Sequence, residues 1–291
     1  MLFRSLHPLR GLEGRCAMIH SSRRELLRTV VSLGIAATCN GAARVSLAAQ
    51  PTPGEEKMQN VKALFFDVFG TLVDWRSGVA RESQRVLEPL GHKLDWIAFA
   101  DAWRAQYQPS MEEVRSGRLA FSKLDIIHRR MLDLIRPRFG LENLDEPTMR
   151  ELNLAWHRLD AWPDVPGAMQ RLRKRFFLAP CSNGNIALMV DLARHNNLPW
   201  DAILGAEIAG DYKPKPRVYL AAAEALNLEP GQCMMVAAHS DDLKAAGAAG
   251  LRTGHTARPD EFGPGKGEPG PTVPVDIFAS SLAALADKFG L

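Results

Sequence analysis

Three short apolar runs, each ending abruptly in a polar cluster, constrain this chain more than any other feature. Val61-Lys62-Ala63-Leu64-Phe65-Phe66 stops at Asp67 and a Gly70-Thr71 turn. Arg175-Phe176-Phe177-Leu178-Ala179-Pro180-Cys181 stops at Ser182-Asn183-Gly184, and Cys233-Met234-Met235-Val236-Ala237-Ala238 stops at His239-Ser240-Asp241-Asp242. Runs this short, bounded by Gly and polar residues, read as buried strands rather than helices. Helical patterns precede the second and third, over Met169 to Lys174 and Val218 to Leu226. The alternation predicts an α/β fold, a doubly wound parallel sheet with helices on both faces, whose ligands bind beyond the carboxyl ends of the strands. All three polar clusters fall at such ends, so residues 61–76 and 161–291 read as the core.

Between residues 77 and 160 the strand signal disappears, and stretches such as Ile97 to Tyr107 and Phe121 to Leu134 carry apolar residues at helical spacing. This segment reads as a helical cap inserted over the mouth of the sheet. Trp96, Phe99 and Trp103 fit either its internal core or the face of a homodimer.

Residues 1–60 read as an address rather than as structure. Ser22-Arg23-Arg24-Glu25-Leu26-Leu27-Arg28 places paired arginines before a modest apolar segment, Thr29 to Thr38, and Ser46-Leu47-Ala48 offers a small-x-Ala cleavage pattern. Residues 1–49 thus resemble a twin-arginine export signal, with Met18 as an alternative start. The resemblance implies transient contact with the Tat translocon and a periplasmic enzyme. The apolar segment is far shorter than the ~20 residues a membrane-spanning helix needs, so no stable anchor is expected. A basic, unstructured arm is the alternative. Residues 50–60 follow as a Pro/Gly/acidic linker, and folded structure is expected from near Met58.

The net charge of +3 has its positive excess before residue 50, and no nucleic-acid motif is present, so no nucleic-acid partner is expected. Cys16, Cys39, Cys181 and Cys233 show no metal-ligand spacing. Cys181 and Cys233 lie in apolar runs and read as small core residues.

A carboxylate at a strand end beside a glycine turn is well placed to meet a substrate, because neighbouring backbone N–H groups orient it. The segment Phe65-Phe66-Asp67-Val68-Phe69-Gly70-Thr71-Leu72 resembles the first motif of the haloacid dehalogenase superfamily. Ser182 and Asn183 resemble its second motif, Lys213 in Asp211-Tyr212-Lys213-Pro214 its third, and Asp242 an acid of its fourth. The resemblance implies that Asp67 is the nucleophile, that Lys213 keeps it ionised, and that Ser182 and Asn183 supply neutral donors.

Phosphatases of this superfamily place a general-acid aspartate two residues after the nucleophile, where this chain has Phe69. An aromatic there resembles the type II (S)-2-haloacid dehalogenases, whose leaving halide needs no proton. Trp103-Arg104 resembles a Trp-Arg pair in that subfamily's insert, and Tyr219 its tyrosine six residues beyond the lysine. The implied catalytic set is Asp67, Lys213, Asp242 and Arg104, with Thr71, Phe69, Ser182, Asn183, Tyr219 and His239 around a 2-haloacid substrate and its halide. No cofactor is implied. The fourth motif departs from the subfamily, whose serine, asparagine and tryptophan are replaced by Ala237, His239 and Asp241. Asp241-Asp242 also resembles the paired acids of magnesium-dependent phosphatases, so a phosphatase or phosphonate hydrolase holding Mg through Asp67 and Asp242 stays open, as does a catalytically silent binding protein.

Overall fold

A computed structural model describes residues 58–291, and the expected export signal and most of the linker lie outside the described residues. The chain enters through β1 (Ala63–Phe66), and its four residues are fully buried. Ala63 and Phe65 face one apolar cluster while Leu64 and Phe66 face another, the two-residue alternation of a strand covered on both sides.

After Asp67 a tight turn leads into the cap. Val73 bridges antiparallel to Ala161, and Asp74 N donates to Asp160 O at 2.9 Å, so these residues form the neck through which the chain leaves and re-enters the core. Helix α1 (Trp75–Leu87) opens the helical stretch that leads into the segment read as a cap over residues 77–160. It is followed by α2 (Trp96–Ala105), α3 (Tyr107–Arg115), α4 (Leu124–Ile135) and α5 (Glu146–Asn153). Asp74, Asp95 and Asp145 each accept a backbone N–H at a helix start, through Ser77 N, Ala98 N and Thr148 N. Each such cap is worth about 1 kcal/mol, since it satisfies an N–H that the helix leaves unpaired. Phe99 and Trp103 are fully buried inside this segment, so within this chain they build an internal core.

The core resumes with α6 (Val165–Leu172), β2 (Phe177–Ser182), α7 (Ile186–Asn196), β3 (Leu204–Gly205), α8 (Ala206–Ala209), α9 (Pro216–Ala225), β4 (Cys233–Ala237), α10 (Ser240–Ala248), β5 (Arg252–Thr256), β6 (Ile277–Ala279) and α11 (Leu282–Lys288). The six strands run in the order β3-β2-β1-β4-β5-β6, and every neighbouring pair is parallel. Because β1 is flanked by β2 on one side and β4 on the other, the winding reverses next to it. That reversal opens a crevice at the carboxyl end of β1, where Asp67 sits.

Cys181 and Cys233 are buried free thiols, and burial pushes each up to about 12, in keeping with inert core residues. Among the described residues no helix is long and apolar enough to cross a membrane.

Candidate active site

Asp67 N continues the sheet ladder by donating to Val236 O at 3.0 Å, which fixes the residue before its side chain is considered. The next residues fold tightly: Gly70 adopts φ +85°, and its N–H donates to Val73 O at 3.0 Å. The outward carbonyls of this turn are held from other elements. Trp162 Nε1 donates to Gly70 O at 2.9 Å, and Arg258 Nε to Thr71 O at 2.8 Å.

Both carboxylate oxygens of Asp67 are engaged. Lys213 Nζ lies 2.9 Å from Oδ1, while Thr71 Oγ1 donates to Oδ2 at 2.7 Å and His239 Nδ1 lies 3.1 Å from the same oxygen. Thr71 also accepts Ala238 N–H at 3.0 Å, tying the ends of β1 and β4 together. Lys213 Nζ reaches Asp242 Oδ2 at 2.5 Å, and Tyr219 O–H donates to Asp242 Oδ1 at 2.5 Å.

This pairing sets the charges. Burial pushes Asp67 up, but Lys213 and His239 more than offset it and hold the carboxyl far below the usual range. Burial opposes charge on Lys213, yet Asp242 and Asp67 together raise it above an ordinary lysine. Burial, then the nearby Asp67 charge, holds Asp242 above its ordinary value against the pull of Lys213. The nucleophile candidate is therefore ionised and the lysine protonated.

Tyr219, expected around the substrate, has its hydroxyl engaged by another side chain of the site. It is fully buried on α9, and its hydroxyl donates to Asp242. Ser182 is also turned inward, its Oγ accepting Gly184 N–H at 3.1 Å and shaping the loop. Asn183 bridges two elements, with Oδ1 accepting Lys213 N–H at 2.8 Å and Nδ2 donating to Tyr107 O–H at 2.9 Å.

Two residues after Asp67, an aromatic cluster joins the turn to the helical insert. Phe69 meets Trp156 and His128 edge-on at centroid distances of 5.8 and 6.2 Å, and His128 stacks on Trp156 at 4.2 Å. The Arg104 guanidinium lies 4.1 Å from the Tyr107 ring centroid and 5.4 Å from that of Trp75. Arg104 Nη1, Trp156 Nε1 and both His128 ring nitrogens are buried without a hydrogen-bond partner among the described residues. Burial lowers His128 to about 3, so its ring is neutral near pH 7.

Four residues of this site escaped the sequence reading: Tyr107, His128, Trp156 and Glu261. Glu261 Oε2 lies 2.8 Å from His239 Nε2, and its other oxygen accepts Trp75 Nε1–H at 3.0 Å. Only Tyr107 carried a local signal, since it follows Arg104 at helical i,i+3 spacing.

A magnesium ion bridging Asp67 and Asp242 does not fit this donor set. The Lys213 ammonium already lies between the two carboxylates, and Asp241 is exposed. Among the described residues no group of three or more His, Cys, Asp or Glu side chains is arranged to hold a metal.

Residues 61–250 match the family of haloacid dehalogenase-like hydrolases. The chain is 30% identical over 203 residues to (S)-2-haloacid dehalogenase 1 of Pseudomonas sp. (strain CBS-3), covering 67% of this chain and 84% of that protein. Among solved structures, an L-2-haloacid dehalogenase is similar at 44% identity and a TM-score of 0.76, covering 79% of this chain and 99% of its own. A defluorinating L-2-haloacid dehalogenase is similar at 41% identity and a TM-score of 0.77, covering 79% and 96%.

Proposed function

This chain belongs to the haloacid dehalogenase-like hydrolases, and from that premise we propose that it hydrolyses short 2-haloalkanoic acids to 2-hydroxy acids through an aspartyl ester on Asp67. One observation carries the reading. Two residues beyond the buried, ionised Asp67, at the position where phosphate chemistry would need a proton donor, stands Phe69, packed edge-on against Trp156.

In the first step an Asp67 oxygen attacks C2 from the side opposite the halogen. The C–X bond breaks, halide leaves with the bonding pair, and no proton is required. Arg104, with aromatic edges and N–H groups of the cap, provides positive potential for the departing anion. Lys213 holds Asp67 ionised for the attack, and Asp242 and Tyr219 hold Lys213 in place. Water then attacks Cγ of the ester, the bond from Cγ to the ester oxygen breaks, and the 2-hydroxy acid departs. Backside attack inverts C2. The relatives named for (S)-substrates favour the (S)-enantiomer here. No step calls for a cofactor.

Halide release from (S)- and (R)-2-chloropropionate, and phosphate release from a generic monoester, each measured with magnesium or chelator, test this reading with Asp67→Asn as the control. Chelator-resistant halide release from the (S)-enantiomer, absent in Asp67→Asn, is expected. Magnesium-dependent phosphate release would replace the reading with the phosphatase alternative.

We also propose export to the periplasm, supported by Arg23-Arg24 and the Ser46-Leu47-Ala48 pattern. Fractionation of cells expressing the full chain tests it, and an Arg23→Lys/Arg24→Lys variant retained in the cytoplasm is the expected result.

A further inference from the structure

Resting on the aspartyl-ester reading, we propose that His239, oriented by Glu261, is the general base that activates water for hydrolysis of the Asp67 ester. The geometry points to it by elimination. Among the described residues three side chains hydrogen-bond or pair with the Asp67 carboxylate: Thr71, Lys213 and His239. Thr71 is a hydroxyl that already donates to Asp67, and Lys213 is a protonated amine bracketed by two carboxylates. His239 alone among them is an imidazole, able to release a proton when a neighbouring charge is lost and to take one up again.

Its setting suits that role. The His239 side chain is 26% exposed while the Glu261 side chain behind it is 1% exposed, so water can reach the ring but not the carboxylate that orients it. Glu261 is itself locked by Trp75 Nε1. The turn after the nucleophile is shaped around this carboxylate, since a Cβ on Gly70 would lie 2.1 Å from Glu261 Oε1. Gly70 is thus required twice, for its left-handed φ of +85° and for the room it leaves.

The first chemical step itself arms the base. In the free enzyme His239 lies between the carboxylates of Asp67 and Glu261; burial opposes its charge, but these two hydrogen-bonded partners raise it to about 10. Alkylation turns Asp67 into a neutral ester and removes one of those partners, so the imidazolium loses a proton to solvent. The neutral ring then accepts a proton from the water that attacks Cγ, and the second hydrogen of that water ends on the hydroxyl of the product. Asp67 returns as a carboxylate beside a protonated His239, and one proton and one halide have been released per turnover. Other charged groups facing this assembly are Lys213 behind Asp67, Arg258 near Glu261, and the His255–Glu268 pair on β5 and its following loop.

Single-turnover halide release combined with intact-protein mass spectrometry tests the proposal on His239→Asn and Glu261→Gln. We expect a burst of one halide per site, with amplitude counting the folded sites. Ester hydrolysis should then be slowed by about 10²-fold or more in His239→Asn, the range for a lost general base, and a covalent adduct should accumulate on Asp67. Glu261→Gln should accumulate the same adduct more weakly. Its hydrolysis rate should rise with pH at a lower inflection than in the wild type, because the ring has lost the charge that favours its protonated form; a merely structural role would leave that inflection in place. Multiple turnovers of His239→Asn at the wild-type rate without adduct would overturn the proposal and leave the dehalogenase reading standing. A folded His239→Asn that lacks the burst would also overturn it, by placing His239 in the alkylation step. Absence of halide from the wild type with every 2-haloacid tried would overturn the dehalogenase reading, and the proposal with it.

Discussion

The network that holds Asp67 and the aromatic cluster reached through Phe69 are built on opposite principles. In the network, Thr71, Lys213, Asp242, Tyr219, His239 and Glu261 are each hydrogen-bonded to another member. In the cluster, Trp156, His128 and Arg104 carry buried nitrogens with no partner among the described residues, beside aromatic rings. A paired network fixes a carboxylate in one geometry and one charge state, as a nucleophile needs. Unpaired donors in an apolar cluster leave room for a group that arrives late, as a departing anion does. The contrast extends to two histidines, one held protonated between carboxylates at about 10 and one held neutral at about 3 by burial.

The largest effect expected on stability follows from breaking the network at its centre. Lys213→Met leaves Asp67 and Asp242 buried with no cation between them, and about 3–5 kcal/mol of stability should be lost, the cost of orphaning buried charges. Urea unfolding measures it, and an unchanged midpoint would show that the two carboxylates do not depend on the lysine.

His128 makes the next prediction, in the aromatic cluster. Its folded value of about 3 lies below the ordinary 6.5, so from about pH 6.5 downward the unfolded chain binds a proton that the folded chain refuses. Its penalty is absent above that window and grows as pH falls toward 3. His128→Phe should therefore stabilise the protein by ~1 kcal/mol at pH 7.5, by removing unpaired buried nitrogens, and by more at pH 5. Parallel melting curves for variant and wild type across this range would contradict the assignment of a neutral, partnerless ring. The sign reverses for His239, whose stabilising pairing is complete below about pH 6.5 and is lost as pH rises through about 10.

A smaller effect sharpens the network. Tyr219→Phe removes one donor from Asp242 while Lys213 keeps its grip, and ~1 kcal/mol of stability should be lost. A selective rise in KM for the 2-haloacid, with stability unchanged, would instead place Tyr219 in direct contact with substrate.

The contrast between the two also marks what the sequence made legible. Asp67, Thr71, Asn183 and His239 sit at strand ends or in the loops after them, and Asp242 in the first turn of the helix after β4, where a local pattern of apolar run and polar cluster announces them, while Lys213 follows α8 in the Asp211-Tyr212-Lys213-Pro214 segment. The aromatic cluster has no such pattern, since Phe69, His128 and Trp156 come from separate segments and meet only through tertiary packing. Glu261 lies in a Gly- and Pro-rich loop with no periodicity, and nothing nearby in the chain links it to His239. The parallel sheet was readable from three buried strands. The other three strands were not: Leu204–Gly205 is too short to show alternation, Arg252–Thr256 is largely polar, and Ile277–Ala279 has only three residues. They are strands because neighbours pair with them, which is a property of the sheet rather than of their own residues.

The mechanism turns on Asp67 forming an ester, and one measurement addresses that directly: a single turnover of excess enzyme with 2-chloropropionate in ¹⁸O-labelled water, followed by mass spectrometry of product and of the Asp67 peptide. Attack of water on Cγ predicts ¹⁸O in the Asp67 carboxylate and a first-turnover product whose hydroxyl is unlabelled. Labelled product with an unlabelled Asp67 would mean that water displaces the halide itself, contradicting the nucleophilic role of Asp67.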